Sequence, residues 1–138
     1  MKSPTRLHLK AQLCLSILLI FLVSCSHKSS INEAIPDIIS YNYDVRPILS
    51  DKCFNCHGPD VRKREAGLRL DIAAEAYKAL QEHPTKHALV PGKPEQSELF
   101  KRITTKDTSL QMPLASKNLP RLTEREVAII KKWINQGA

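Results

Sequence analysis

One pentapeptide constrains this chain more than any other stretch. Cys53-Phe54-Asn55-Cys56-His57 places two cysteines three positions apart, with a histidine directly after the second. Two thiols at this spacing can add across the two vinyl groups of a porphyrin, and the adjacent histidine can then reach the iron as its proximal ligand. We therefore predict one covalently attached haem c, held by Cys53, Cys56 and His57. A structural zinc site, a disulfide or a chance match is also compatible with the pentapeptide alone.

The first 24 residues read as a targeting signal. A start with three basic residues and no acidic one is followed by an apolar stretch, residues 11–23, which is too short to span a membrane. It ends in Leu-Val-Ser-Cys, which resembles a bacterial lipobox, where the signal is cleaved just before a cysteine that receives lipid. We predict a lipoprotein signal peptide over residues 1–24 and lipidation of Cys25. An uncleaved anchor or an ordinary secretory signal is the alternative, and either would export the domain.

The number of cysteines left for the folded part agrees with the attachment of one haem. Of the four cysteines, Cys14 lies in the predicted signal and Cys25 is assigned to the lipid, so only Cys53 and Cys56 remain for the folded part. An oxidising compartment would permit a disulfide between these two. Haem attachment uses both thiols equally well, and it also explains the histidine that follows them.

The remaining chain divides into a tether and one small domain. Residues 26–30 are polar and Pro36 interrupts any longer pattern, so we predict a flexible tether over residues 25–40, with the domain over residues 41–138. The net charge is +7, and removing a signal with three basic residues leaves 18 basic against 14 acidic side chains. No basic patch is interleaved with aromatic residues, which argues against nucleic acid as a partner. Arg62-Lys63-Arg64 reads as a solvated cluster, with docking to an acidic redox partner as the alternative.

Hydrophobic spacing and capping residues predict helices in the domain. The first three cover residues 42–53, 72–81 and 95–104, the second of them capped by Asp71. The last helix is the clearest, because Thr123 and Glu126 form a capping box and Gly137 follows its end. The intervening residues 82–94 and 105–121 are predicted to be loops.

Met112 is the candidate for the second axial ligand. It is the only methionine besides the initiator, and it lies in a proline-containing loop far from His57 in sequence. A thioether opposite the histidine would fill both axial positions and raise the reduction potential, which favours electron transfer over oxygen chemistry. Packing in the core is the alternative role for Met112.

His83 and His87 are the competitors of Met112. Either could serve as axial ligand, and together with Cys53 and Cys56 they form a C-x2-C…H-x3-H pattern that suggests zinc. However, 26 residues separate the two pairs, about twice the usual spacer, and Pro84 prevents a shared helical face. Exposure at the surface is the third possibility for each histidine.

The domain also resembles a known family along nearly its whole length. The stretches that carry the resemblance are Tyr43-Asp44-Val45-Arg46-Pro47-Ile48-Leu49, the pentapeptide with Gly58-Pro59-Asp60, Gly67-Leu68-Arg69-Leu70-Asp71, Pro91-Gly92-Lys93-Pro94-Glu95, Met112-Pro113, Leu122-Thr123, Trp133-Ile134 and Gly137-Ala138. In this order they are similar to the planctomycete-type cytochrome c domain.

The resemblance implies an all-α, class I-like cytochrome c fold, with N- and C-terminal helices packed together beside one covalently bound haem. It also implies His57 as the proximal and Met112 as the distal ligand. The family's domain commonly begins a much longer chain, whereas this sequence stops at Ala138. We therefore expect a stand-alone lipoprotein.

These features together favour an electron-transfer protein over an enzyme. We expect a membrane-anchored one-electron carrier that faces the periplasm and exchanges electrons with redox partner proteins of the bacterial cell envelope. It could serve as the electron port of a separately encoded oxidoreductase. The alternatives are a haem peroxidase or sensor with a displaceable distal ligand, and a zinc-binding structural lipoprotein.

Overall fold

Residues 34–138 are the part of the chain that the computed structural model describes. The predicted signal peptide, Cys14, Cys25 and the first nine residues of the predicted tether lie outside the described residues. Within residues 34–138, no helix has the length and the apolar composition needed to cross a membrane.

The chain enters the site through two consecutive helical segments. A π-helical turn, Tyr41–Val45, continues directly into helix α1, Arg46–Lys52. Pro47 lies in the first turn of α1, where the fixed φ of proline suits a helix. The sequence prediction of a helix leading into the pentapeptide is therefore confirmed. Cys53 then leaves the helical path at φ −123° and ψ −40°, and the short helix α2, Phe54–His57, carries the rest of the motif.

The next helix is much shorter than predicted. Helix α3 covers only Ala73–Ala76, and no side chain caps its N-terminus. Its N-cap position is occupied by Ile72, and the Asp71 carboxylate instead accepts a hydrogen bond from Arg69 Nε at 2.8 Å. The prediction of a helix over residues 72–81 is wrong in its extent.

A hairpin occupies part of the region that the sequence assigned to helix and loop. Strand β1, Ala79–Leu80, pairs in antiparallel register with strand β2, His83–His87. Leu80 lies opposite His83, and Ala79 opposite His87, with an irregularity between the two pairs. The prediction of an all-α domain is therefore wrong. The exposed, polar β2 lacks the apolar alternation by which a strand is recognised in a sequence.

The second half of the domain is helical. A 3₁₀ turn, Pro94–Gln96, precedes helix α4, Glu98–Thr104, and a second 3₁₀ turn, Ala115–Lys117, precedes helix α5, Glu124–Asn135. The predicted capping box of α5 is confirmed. Glu126 N–H donates to Thr123 Oγ1 at 3.2 Å, and Thr123 N–H donates to Glu126 Oε2 at 2.6 Å.

The core lies between these helices and the loops that join them. α5 contacts both α4 and the π-helical turn, where the rings of Tyr41 and Trp133 are 5.8 Å apart between centroids. The buried apolar side chains are Ile39, Val45, Ile48, Leu49, Leu70, Ala76, Ala88, Leu89, Leu99, Phe100, Ile103, Ile129, Ile130, Trp133 and Ile134.

The segment before the π-helical turn is attached to α5. The side-chain amide of Gln136 accepts a hydrogen bond from Ile39 N–H at 2.9 Å and donates one to the carbonyl of Asp37 at 2.7 Å. Ile39 is also buried in the core. The chain is thus held by the C-terminal helix before its own first helical turn begins.

Candidate functional site

Four residues that the sequence singled out line one cleft, which we call the site cleft. Cys53, Cys56, His57 and Met112 contribute to a cavity of about 520 Å³, within the range of small-molecule and cofactor sites. The rest of the wall comes from Lys52, Glu65, Ala66, Glu82, Ile103, Pro113, Leu114, Ser116, Lys117 and Leu119. The fold therefore brings together side chains that are up to 59 residues apart in the sequence.

A second cavity extends the site towards the core. This side lobe measures about 130 Å³ and shares Cys53, His57, Ala66, Ile103 and Met112 with the site cleft. Its own lining is mostly aliphatic, and includes Leu68, Leu70, Leu80, Ala88 and Leu99. An apolar wall of this kind suits the hydrophobic face of a large ring system and keeps water away from a bound metal.

Backbone hydrogen bonds hold the pentapeptide in place. His57 N–H donates to the carbonyl of Cys53 at 2.8 Å, and the two carbonyls of Cys56 and His57 accept from Glu65 N–H and Leu70 N–H at 2.8 and 2.9 Å. The chain after the motif is thus folded back against it. Because these carbonyls are already paired, the side chains of the motif are directed by a fixed backbone.

Gly58 permits this tight return. A Cβ atom at this position would lie 2.3 Å from the carbonyl oxygen of Phe54, well inside contact distance. Any larger residue would force the backbone of Phe54 or of Gly58 itself to move. The glycine that follows His57 therefore has a steric role in the site.

The two cysteines are half-buried thiols, and no disulfide joins them in the described structure. Burial raises the pKa of the Cys53 thiol to about 12, with the neighbouring Cys56 acting in the same direction and Lys52 opposing it. Thiol redox sites and thiolate metal sites depend on the opposite shift, towards the thiolate. The environment of Cys53 therefore fits a sulfur that ends as a neutral thioether.

His57 presents a neutral imidazole to the cleft. Burial lowers the pKa of its ring, and the backbone of Glu65 partly opposes this shift. Its Nδ1 atom is buried without a hydrogen-bond partner. A buried, unpartnered ring nitrogen costs free energy unless something else satisfies the imidazole. A neutral histidine of this kind suits a metal ligand, and the residues present fit a haem.

Met112 reaches the site from the long loop after α4. Its backbone N–H donates to the carbonyl of Arg102 at 2.9 Å, which ties the loop to the end of that helix. The half-buried Met112 side chain lines both the site cleft and the side lobe, as His57 does. The sequence prediction placed these two residues on one iron, and the fold places them around one cavity.

His83 and His87 lie elsewhere. Both are in β2, His83 exposed and His87 half-buried, and neither lines the site cleft or the side lobe. Over residues 34–138, the structure assembles no group of three or more His, Cys, Asp or Glu side chains able to hold a metal ion. The alternative zinc site formed with Cys53 and Cys56 is therefore not assembled.

The wall of the site cleft contains an ion pair that the sequence did not predict. Lys117 Nζ lies 3.1 Å from Glu65 Oε1, joining residues 52 positions apart. Both side chains are partly exposed and line the site cleft. Oppositely charged residues this far apart carry no local pattern, so only the fold shows that they meet.

Comparison with known proteins identifies the segment that forms this site. Residues 53–114 match the sequence model of a family described as planctomycete cytochrome C. No curated protein and no solved structure matches the chain. The matched segment begins at Cys53 and includes Met112, so it contains all four predicted site residues. The match over this segment supports a c-type cytochrome domain that binds haem c.

Proposed function

We propose that this protein is a mono-haem c-type cytochrome, a lipid-anchored carrier of single electrons in the bacterial cell envelope. The observation that carries the proposal is the convergence of Cys53, Cys56, His57 and Met112 on one cleft of about 520 Å³. Two thiols, one imidazole and one thioether are the complete set of protein groups needed to attach a haem and fill both axial positions.

Each residue has a defined task in this proposal. Cys53 and Cys56 form the two thioether bonds, and His57 provides the proximal nitrogen. Met112 provides the distal sulfur. Haem iron, when bound, supplies reversible one-electron oxidation and reduction. The aliphatic side lobe keeps water from the ligand side chains, which favours a stable ligand set over exchange with solvent.

Filling both axial positions favours electron transfer over catalysis. A peroxidase or sensor needs a free or easily freed position on the metal, together with polar groups that act on the bound molecule. Neither His83 nor His87 lines the cleft, and Arg102 at the side lobe donates to the carbonyl of Leu110 at 3.2 Å. The residues around Met112 therefore support a closed site.

The location is inferred from the sequence before the described residues. A signal peptide over residues 1–24 and a lipidated Cys25 would anchor the protein to a membrane of the envelope, with the domain in the periplasm. Its partners would be redox proteins of the same compartment, including an oxidoreductase that uses this domain as its electron port.

The cofactor is tested by expressing the full chain together with the machinery for c-type cytochrome maturation. We expect a haem stain that stays with the polypeptide on a denaturing gel, and a visible spectrum that changes on reduction. The matched control is the Cys53→Ala/Cys56→Ala variant, which should lose the stain. A colourless wild-type protein that contains zinc would refute the proposal.

The anchor is tested separately. The Cys25→Ser variant should move from the membrane fraction to the soluble fraction, because its lipid attachment site is lost while the cytochrome domain is unchanged. Cys14→Ser, which lies inside the predicted signal, is the control and should stay with membranes. Unaltered partitioning of Cys25→Ser would contradict lipidation.

A further inference from the structure

We infer that the redox partner of this protein docks through a carboxylate-rich surface on a basic cleft beside Cys56. The inference rests on the proposed electron-transfer function. The basic cleft has a volume of about 350 Å³ and is lined by Asn55, Cys56, Arg62, Lys63, Arg64, Glu65 and Lys117.

The basic cleft adjoins the site cleft. Cys56, Glu65 and Lys117 line both cavities. Cys56, one of the two proposed attachment residues, is therefore part of the boundary between the two cavities. Electron transfer requires close approach to the redox centre, and this wall offers it.

The lining carries a surplus of positive charge. Arg62, Lys63, Arg64 and Lys117 face only one carboxylate, that of Glu65. Lys117 is paired with that carboxylate at 3.1 Å, and Arg62 lies 3.7 Å from Asp60, so Lys63 and Arg64 provide most of the uncompensated charge. A localised patch of one sign steers partners of the opposite sign and raises their rate of association.

Arg64 is held in position by neutral groups. Its guanidinium donates to the backbone carbonyls of Gly58 at 3.1 Å and Pro59 at 3.0 Å. These contacts fix the side chain without neutralising it. A preorganised cation loses less conformational entropy when a carboxylate binds to it.

The edge of the patch also offers apolar contact. Val61, which precedes the basic run in the chain, is 74% exposed. The Arg62 side chain is 91% exposed and lies 3.7 Å from Asp60, a weak surface pair. An exposed aliphatic side chain beside exposed cations is the mixture expected of a transient docking surface.

A second basic cluster is less suitable. His83, Lys86, Lys101 and Arg102 line a cavity of about 400 Å³. The buried carboxylate of Glu98 lies among them, 2.8 Å from Lys101 and 4.0 Å from Lys86. None of the four proposed haem-binding residues lines this cavity. Its charge is thus partly compensated, and it is not adjacent to the attachment point.

The test uses charge reversal in the full-length, haem-loaded protein. The variants are Lys63→Glu and Arg62→Glu/Lys63→Glu. The matched control for the single variant is Lys93→Glu, because Lys93 is exposed and lines neither cleft. The probes are labelled poly-L-glutamate, for binding by fluorescence anisotropy, and two one-electron oxidants of opposite charge, for stopped-flow oxidation of the ferrous protein. The anionic oxidant is hexacyanoferrate(III), and the cationic one is tris(phenanthroline)cobalt(III). Each complex accepts one electron from one ferrous haem.

The expected result is specific to the site and to the sign of the charge. Lys63→Glu should weaken poly-L-glutamate binding and slow oxidation by the anionic reagent by about threefold or more, while it accelerates oxidation by the cationic one. The double variant should show a larger effect, and Lys93→Glu a much smaller one. Equal effects of Lys63→Glu and Lys93→Glu would overturn the inference.

Two further outcomes would also overturn it. Loss of binding to anionic lipid vesicles in Lys63→Glu, with poly-L-glutamate binding unchanged, would assign the patch to a membrane surface. A wild-type protein without a haem spectrum would defeat the proposed function as well as the docking surface. Normal haem spectra with no site-specific rate effect would defeat the docking surface alone.

Discussion

At the scale of single residues, burial controls the chemistry of the candidate site. Desolvation lowers the pKa of the His57 imidazole and raises that of the Cys53 thiol, so both side chains are uncharged near neutral pH. An uncharged imidazole retains the lone pair that a metal needs. An uncharged sulfur is compatible with the aliphatic wall around it. Desolvation therefore suits the imidazole of His57 to a bond with a metal and the sulfur of Cys53 to a thioether bond.

Met112 should determine the electronic properties of the bound iron. Met112→Ala removes the distal sulfur, so the haem-loaded variant should lose the thioether-to-iron charge-transfer band. Its reduction potential should fall by something on the order of 100 mV or more, because a methionine ligand favours the ferrous state. Absorption spectroscopy and a redox titration measure both effects.

Leu114→Ala is the matched control for Met112→Ala. Leu114 lines the same cleft and is also half-buried, but it has no donor atom. Its truncation should leave the charge-transfer band in place. An unchanged spectrum in Met112→Ala would transfer the distal role to another ligand.

The sequence singled out four residues that the fold brings to one cleft, but it did not predict the rest of the cleft wall. Spacing identified Cys53, Cys56 and His57, and the scarcity of methionine identified Met112. The ion pair of Glu65 and Lys117 joins residues 52 positions apart. The sequence around either residue does not indicate that the two side chains meet. Such contacts follow from the path of the chain in three dimensions, which local patterns do not encode.

At the scale of elements, capping distinguishes the helix that the sequence predicted well from the one that it did not. Thr123 caps α5, and Glu126 returns the hydrogen bond to the backbone of Thr123. Asp71 was expected to do the same for α3, but Arg69 lies two residues away and binds its carboxylate. In this domain, the candidate cap whose carboxylate binds a neighbouring cation is the one that does not cap its helix.

Thr123→Ala should destabilise the domain through α5 alone. Loss of the side-chain cap should lower the free energy of unfolding by about 1 kcal/mol and the melting temperature by about 4–8 °C. Thermal unfolding followed by circular dichroism measures the change. Ser50→Ala is the control, because Ser50 is exposed within α1 and makes no cap. A melting temperature equal to that of the wild type would show that the capping box contributes little.

The hairpin could not be predicted from its own residues. His83, Pro84, Thr85 and Lys86 are exposed, so β2 has no buried face to produce an alternating pattern. Its position depends on the following buried residues, where Leu99 N–H donates to the carbonyl of Ala88 at 3.0 Å. Tertiary contacts rather than local propensity therefore define this element.

At the scale of the whole molecule, the site cleft lies on the side of a small core. Ile103, Leu70 and Leu99 belong to that core and also line the site cleft or its side lobe. A haem bound there would extend the core rather than occupy a separate pocket. We therefore expect the haem-free chain to lose much of its stability, since a ligand that binds only the folded state stabilises it.

Acid should weaken the folded domain partly through Asp71. The hydrogen bond from Arg69 holds the pKa of this carboxyl below its ordinary value, with burial opposing the shift. Its contribution to stability is complete above the unfolded pKa of about 3.9 and is lost as the pH falls through the depressed folded value. Arg69→Gln should therefore lower the free energy of unfolding at neutral pH. The further decrease of that free energy as the pH falls should be less steep than in the wild type.

Urea unfolding midpoints of the haem-loaded proteins, measured from pH 6 down to the acid transition, test this expectation. Arg62→Gln is the control, because Arg62 is exposed and only weakly paired with Asp60. Its profile should run parallel to that of the wild type. Parallel profiles for Arg69→Gln as well would rule out a contribution from the Asp71 pair.

The attachment of Gln136 to the entering chain has a mechanical consequence. Both polar atoms of its side-chain amide are bonded to the backbone of residues 37 and 39, upstream of the π-helical turn. A pulling force applied through the preceding segment is therefore borne first by α5, at the end opposite to Thr123. The load bypasses α1 and α2 while these two hydrogen bonds hold, so the pentapeptide can keep its geometry when the preceding segment is under tension.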